Sequence, residues 1–125
     1  MNGAGWQFFK YKDETGNDPV GDFLKGEITD GERSQFTSRM QAVMEHGPTV
    51  SGDILENLGN DLYALRVPNT PNNPRVFICP VPDRRGGLVM LHAYQKHGKK
   101  IPGSEMRVAK KRQKEVQSQP EKYIF

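Results

Sequence analysis

Four cationic or titratable side chains fall where β-strand patterns end: Arg66, Arg75, His92 and Lys96. Arg66 closes the stretch LGNDLYALR at 58–66. The other three lie within RVFICPVPDRRGGLVMLHAYQKHGKK at 75–100, which reads as two strands joined by a glycine-containing turn and running into a Lys/His cluster. No acidic residue stands beside them in the chain. Such a set suits a polyanion. Arginine offers a planar fork for phosphate oxygens, lysine a point charge or a proton, and imidazole moves protons near neutral pH. Metal-free RNA cleavage needs little more than a base for the ribose 2′-hydroxyl, cations for the charge on phosphorus and an acid for the leaving 5′-oxygen. A positioned acid or base is worth about 10²–10⁴-fold in rate, an aimed electrostatic donor about 10²–10³-fold.

Taken singly, each residue also has a plainer role. His92, between Leu91 and Ala93, fits a core or rim histidine, and Arg66 a surface ion-pair partner. Lys96, Lys99 and Lys100 fit a solvated face, His46 the negative end of a helix, and His97 an exposed loop. The histidines lack Cys, His or Asp partners at metal-ligand spacing, so neither a metal nor another cofactor is expected. Gly86-Gly87 lacks the spacing of a phosphate-binding glycine loop, and no nucleophile stands near His92. Cys79, the single cysteine, lies in the apolar stretch VFIC and reads as a buried thiol.

The elements that must position these residues follow from periodicity. Residues 6–11 (WQFFKY) fit a first strand. Asp18-Pro19 is a cap and first-turn proline for a short helix carrying Val20, Phe23 and Leu24. Over 30–47, Phe36, Met40, Val43 and Met44 form one apolar helical stripe, with Asp30 as the expected cap and Gly47-Pro48 as the stop. Residues 50–58 read as a loop or one helical turn anchored by Leu55 and Leu58. Strands are expected at 62–67, 75–79 and 88–94, joined by long proline-containing loops as an antiparallel meander. A last helix, about 103–117, has a thin apolar stripe (Met106, Ala109, Val116) and many cations, and an apolar tail YIF follows.

At 125 residues the chain is expected to form one α+β domain over 1–125, with a basic C-terminal helix and tail from about 103. The sheet should be small, twisted and mainly antiparallel, with the N-terminal helices packed on one side. Mean hydropathy is −0.76 and apolar residues make up 34%, which predicts a small core under generous polar surface. The N-terminal stretch MNGAGWQFFKYK has no leader pattern, and no apolar run reaches a membrane span, so a cytoplasmic protein is expected. The net charge of +3 conceals a division. Residues 1–65 hold 5 Lys and Arg against 11 Asp and Glu, and residues 66–125 hold 13 against 4. A chain divided in this way can offer one face to a polyanion.

Several stretches resemble a known family: DPVGDFL at 18–24, LGNDLYALR at 58–66, RVFI at 75–78 and VMLHAYQKHGKKIPGSEMRVAKKR at 89–112. Their order and content are similar to the phage-derived HigB-like branch of the RelE/ParE toxin superfamily, with its LG-x-x-LYELR strand and VLLHGF-x-KK segment. The resemblance implies a small twisted sheet with helices on one side and metal-free, ribosome-dependent cleavage of mRNA to a 2′,3′-cyclic phosphate. It also implies a helix-turn-helix antitoxin as partner. Carried over, Arg66 and Arg75 occupy the strand-end arginines, His92 the histidine, and Lys96 the first lysine of the pair. Arg66 and Arg75 would then bind the scissile phosphate, with Lys96 stabilising charge or donating a proton and His92 in support. Lys99, Lys100, Lys110, Lys111 and Arg112 would hold messenger or ribosomal RNA. The chain departs from the pattern at Asp61 (glycine), Ala64 (glutamate), His97 (lysine) and Ile101 (threonine). Two other functions fit the same surface: a binding module without chemistry, and the gyrase inhibition of ParE-like relatives.

Overall fold

A computed structural model describes residues 5–82 and 84–125. The first four residues of the stretch read for a leader, and Asp83 in the loop at 80–87, lie outside it. Five strands form one sheet: β1 (Gln7–Lys10), β2 (Leu55–Gly59), β3 (Leu62–Arg66), β4 (Pro74–Pro80) and β5 (Gly87–Gln95). Their order is β1-β5-β4-β3-β2. Strands β2 to β5 make the expected antiparallel meander, whereas β1 lies parallel to β5. Four helices complete the described fold: α1 (Pro19–Gly26), α2 (Asp30–His46), α3 (Gly103–Ser118) and the short α4 (Pro120–Tyr123).

The central strand β4 explains the layering. Its side chains alternate between two cores, and both must be covered. Val76 and Ile78 join Leu65, Leu88, Val20, Phe36 and Val43 beneath α1 and α2. Phe77 and Cys79 join Leu62, Val89 and Leu91 on the other face, against Ala109 and Val116 of α3. The N-terminal helices α1 and α2 thus pack on one side of the sheet, as expected, and the C-terminal helix α3 covers the other face. The thin stripe of α3 is long enough because α3 covers only part of its face.

Local chemistry corrects two expectations. Residues 50–58 are not a loop throughout, since β2 begins at Leu55. The polar sequence LENLG hides the strand, whose ladder to β3 supplies what its side chains do not advertise. A two-residue turn joins β2 to β3, and Asn60 and Asp61 both take positive φ, 54° and 62°. Glycine suits such a position best, and aspartate is among the residues that tolerate it. Helix α2 is capped by Thr29 rather than Asp30. The Thr29 hydroxyl accepts from the Glu32 N–H at 3.1 Å, and the Glu32 carboxylate accepts from the Thr29 N–H at 2.8 Å. Helix α3 starts after Pro102 without a side-chain cap. Asp18 does cap α1, accepting from the Gly21 N–H at 3.0 Å.

Glu32 has a second task. Although buried, its carboxylate accepts from both the backbone N–H and the side-chain amide of Asn72, each at 2.7 Å. It thereby ties the proline-rich β3–β4 loop to the first turn of α2. That loop has Arg66 at one end and Arg75 at the other. At the far edge of the sheet the C-terminal tail pairs with β1 through a bridge between Tyr11 and Ile124, and Tyr123 stacks on Tyr11 at 5.8 Å. No helix among the described residues is long and apolar enough to cross a membrane.

Candidate functional site

In the ladder Arg66 lies opposite Arg75, and Arg75 opposite Tyr94, so three adjacent strands present these side chains on one face. Lys96 follows two residues beyond Tyr94, and its N–H bonds the Asn73 carbonyl at 3.1 Å. Arg66, Arg75 and Lys96 line one groove with Asn69, Asn73, Gly98 and the prolines Pro68 and Pro74. Its volume is about 170 Å³. That is below the ~300 Å³ at which sites for whole small molecules begin, and it suits a single phosphate group. Asn69 and Asn73 both take positive φ, 60° and 42°, which folds the proline-rich loop against the groove.

The structure brings in two carboxylates absent from the local sequence. Glu56 of β2 sits opposite Ala64, where the family pattern carries glutamate, and its carboxylate meets the Arg75 guanidinium at 2.6 Å. Arg75 is only 7% exposed, so this contact fixes its fork in place. The second carboxylate is Glu105, in the first turn of α3, 2.6 Å from Nε2 of His92. Neither was legible as a site residue, because each arrives from another element. Alternation within β2 would have placed Glu56 on the arginine face had the strand been recognised.

His92 sits apart from the groove. It stacks on Phe77 at 6.0 Å, and Arg112 approaches its Nδ1 at 3.4 Å. Burial lowers its pKa and outweighs the hydrogen bond to Glu105, which raises it. The network assigns a neutral ring whose Nε2–H donates to Glu105 while Nδ1 accepts from Arg112. His92 thus joins α3 to the sheet. Arg112 does likewise: it donates to the Leu91 carbonyl at 2.9 Å and lies over the Tyr11 ring. Lys99, Lys100, Lys110 and Lys111 are exposed, so of the five residues expected to hold RNA only Arg112 is drawn inward.

Lys96 carries the clearest electrostatic signature. Burial lowers its pKa, and the charges of Arg75 and Arg66 lower it further against the opposing effect of Glu56. A lysine so placed gives up its proton more readily than an ordinary one. Arg66 donates to the Gly52 carbonyl at 3.2 Å, while its Nε is buried without a protein partner. The Tyr94 hydroxyl is likewise unpartnered, and burial pushes its pKa up to about 12. Tyr94→Phe is therefore expected to leave stability unchanged or raise it by up to about 1 kcal/mol, because no protein hydrogen bond is lost. Urea unfolding checks this, and a clear loss of stability would show that the hydroxyl has a partner. Among the described residues no cluster of His, Cys, Asp and Glu could hold a metal ion.

An open, mainly antiparallel sheet with cations gathered at its strand ends, two N-terminal helices and a C-terminal helix defines an α+β protein. Residues 26–114 match the family described as Phage derived protein Gp49-like (DUF891). The chain belongs to this family, which is a RelE/HigB-like toxin family related to the RelE-type nucleases. The matched span holds Glu56, Arg66, Arg75, His92 and Lys96. No curated protein matches the chain.

Proposed function

We propose that the protein is the toxin of a toxin–antitoxin pair of the HigB-like kind, cutting messenger RNA on the ribosome without a metal. The observation that carries this is the convergence of Arg66, Arg75 and Lys96 on one phosphate-sized groove. In the proposed reaction the ribose 2′-oxygen attacks the adjacent phosphorus, and the bond from phosphorus to the 5′-oxygen breaks. The products are a 2′,3′-cyclic phosphate and a free 5′-hydroxyl. Arg66 and Arg75 hold the nonbridging oxygens as charge grows on them. In this scheme Glu56, half-exposed and paired with Arg75, takes the 2′-hydroxyl proton. In the same scheme Lys96, with its lowered pKa, protonates the 5′-oxygen. His92 holds the sheet against α3 and takes no proton in this scheme.

The proposed place of action is the cytoplasm, and the proposed partner is a helix-turn-helix antitoxin encoded beside the toxin. The test is induction of the protein alone, with primer extension on abundant messages and in vitro cleavage on programmed ribosomes in chelator. Growth arrest with new message ends, and cleavage that persists in chelator, is the expected result. Arrest with intact messages would sink the proposal, and a DNA-damage response with stable messages would assign gyrase inhibition instead.

A further inference from the structure

Helix α3 presents a second cationic surface. Arg107, Lys110, Lys111 and Lys114 are all exposed, and their i, i+3, i+4, i+7 spacing puts them on one stripe of the helix. The opposite stripe, Ala109, Gln113 and Val116, is buried. None of the four cations forms an ion pair among the described residues. Two carboxylates, Glu115 of α3 and Glu14, have other partners. Glu115 accepts from the Tyr11 hydroxyl at 2.7 Å, and Glu14 from the Tyr123 hydroxyl at 3.0 Å. The exposed Lys99 and Lys100 stand in the segment between β5 and α3, so the cations continue from the groove toward the stripe.

The composition of the stripe selects its ligand. An interface with a folded protein concentrates its energy in aromatic and apolar anchors, and an interfacial membrane helix needs an apolar face to bury. The stripe has neither, since the exposed large apolar residue of the described chain is Phe125, at the C-terminal tail. What remains is a row of charges. Seven residues of helix advance about 10 Å, the axial rise of roughly three phosphates on one strand.

We propose that Arg107, Lys110, Lys111 and Lys114 form a second RNA-binding surface, separate from the groove, that takes the sugar–phosphate backbone without reading bases. The choice of RNA over other polyanions rests on the nuclease proposal. Relative to the sequence expectation, the surface gains Arg107 and Lys114 and loses Arg112.

The test measures binding of a 12-nucleotide 2′-O-methyl RNA, which lacks the free hydroxyl needed for cleavage, by anisotropy between 50 and 200 mM salt. In R107Q/K110Q/K111Q/K114Q the plot of log affinity against log salt should become shallower by about 3. Wild type then loses roughly 50-fold more affinity than the variant over that range. Glutamine preserves helix propensity, and circular dichroism confirms that α3 remains. The control K25Q/R84Q/R85Q, on exposed cations elsewhere, should keep the wild-type slope. An unchanged slope in the α3 variant, an equal loss in the control, or tighter binding to phosphatidylserine vesicles than to the oligonucleotide would overturn the proposal. A protein that binds the oligonucleotide through α3 yet leaves messages intact loses the nuclease reading and keeps this one. Cleaved messages with an unchanged slope remove the α3 surface and keep the nuclease.

Discussion

Arg66→Ala and Lys96→Ala are each expected to release the growth arrest caused by the wild-type protein and to lower message cleavage by about 10²–10³-fold. The size follows from the task assigned to these groups. In the proposed reaction Arg66 aims positive charge at oxygens whose charge grows only in the transition state and Lys96 protonates the leaving oxygen, so removing either would act on the chemical step. These are the cleanest positions in the groove. Arg66 spends one hydrogen bond on the Gly52 carbonyl, and no carboxylate pairs with either side chain among the described residues. Truncation should therefore cost stability only on the order of 1 kcal/mol. Arg75 is a poorer probe because it is buried and paired with Glu56, so its loss would mix chemistry with packing. Primer extension after induction, with thermal unfolding of each purified variant, separates the two effects. Full cleavage in both variants at native stability would remove the groove from the mechanism.

Glu32→Ala should produce the largest loss of stability, about 3–5 kcal/mol, lowering Tm by roughly 10–20 °C. The reason is concentration. One buried carboxylate closes the capping box of α2 and anchors the β3–β4 loop, and alanine leaves the Thr29 and Asn72 N–H groups without their acceptor. Asn72→Ala removes only the side-chain bond and should cost about 1–2 kcal/mol. Burial of Glu32 raises its pKa, but the bonds from Thr29, Asn72 and Thr70 prevail and hold it at about 2. Because the folded pKa lies below the unfolded one, this stabilisation is complete above the ordinary carboxylate pKa, near 4.5, and is lost as pH falls toward 2. Wild type should therefore lose more stability than Glu32→Ala between pH 5 and 2. Parallel pH profiles for the two proteins would show that the carboxylate does not carry the effect. The loop should also loosen in Glu32→Ala, and hydrogen exchange at the Asn72 amide reads that directly.

Much of this protein was legible in its sequence. Asp18-Pro19, the Phe36–Val43 spacing and the Gly47-Pro48 stop marked α1 and α2, because caps and helical periodicity act within a few residues. The apolar run RVFIC marked a central strand for the same local reason. The cationic strand ends at Arg66, Arg75 and Lys96 were readable from residue type and alternation. The polar β2 was not, because its stability comes from the ladder to β3 and from Leu55 in the core.

What only the tertiary structure decided is which charges meet. Glu56 comes to Arg75 from a strand 19 residues away in the chain, and Glu105 comes to His92 from the first turn of α3. Their arrival put a carboxylate against the buried arginine of the groove and paired His92 with α3, away from the groove lining. Arg112 moved inward for the same reason, while Arg107 and Lys114 came to share the outer stripe of α3. Local sequence sets residue type, period and cap, since these depend on neighbours along the chain. Burial and partners depend on register and on which helix covers which face, and those arise only when the whole sheet is assembled.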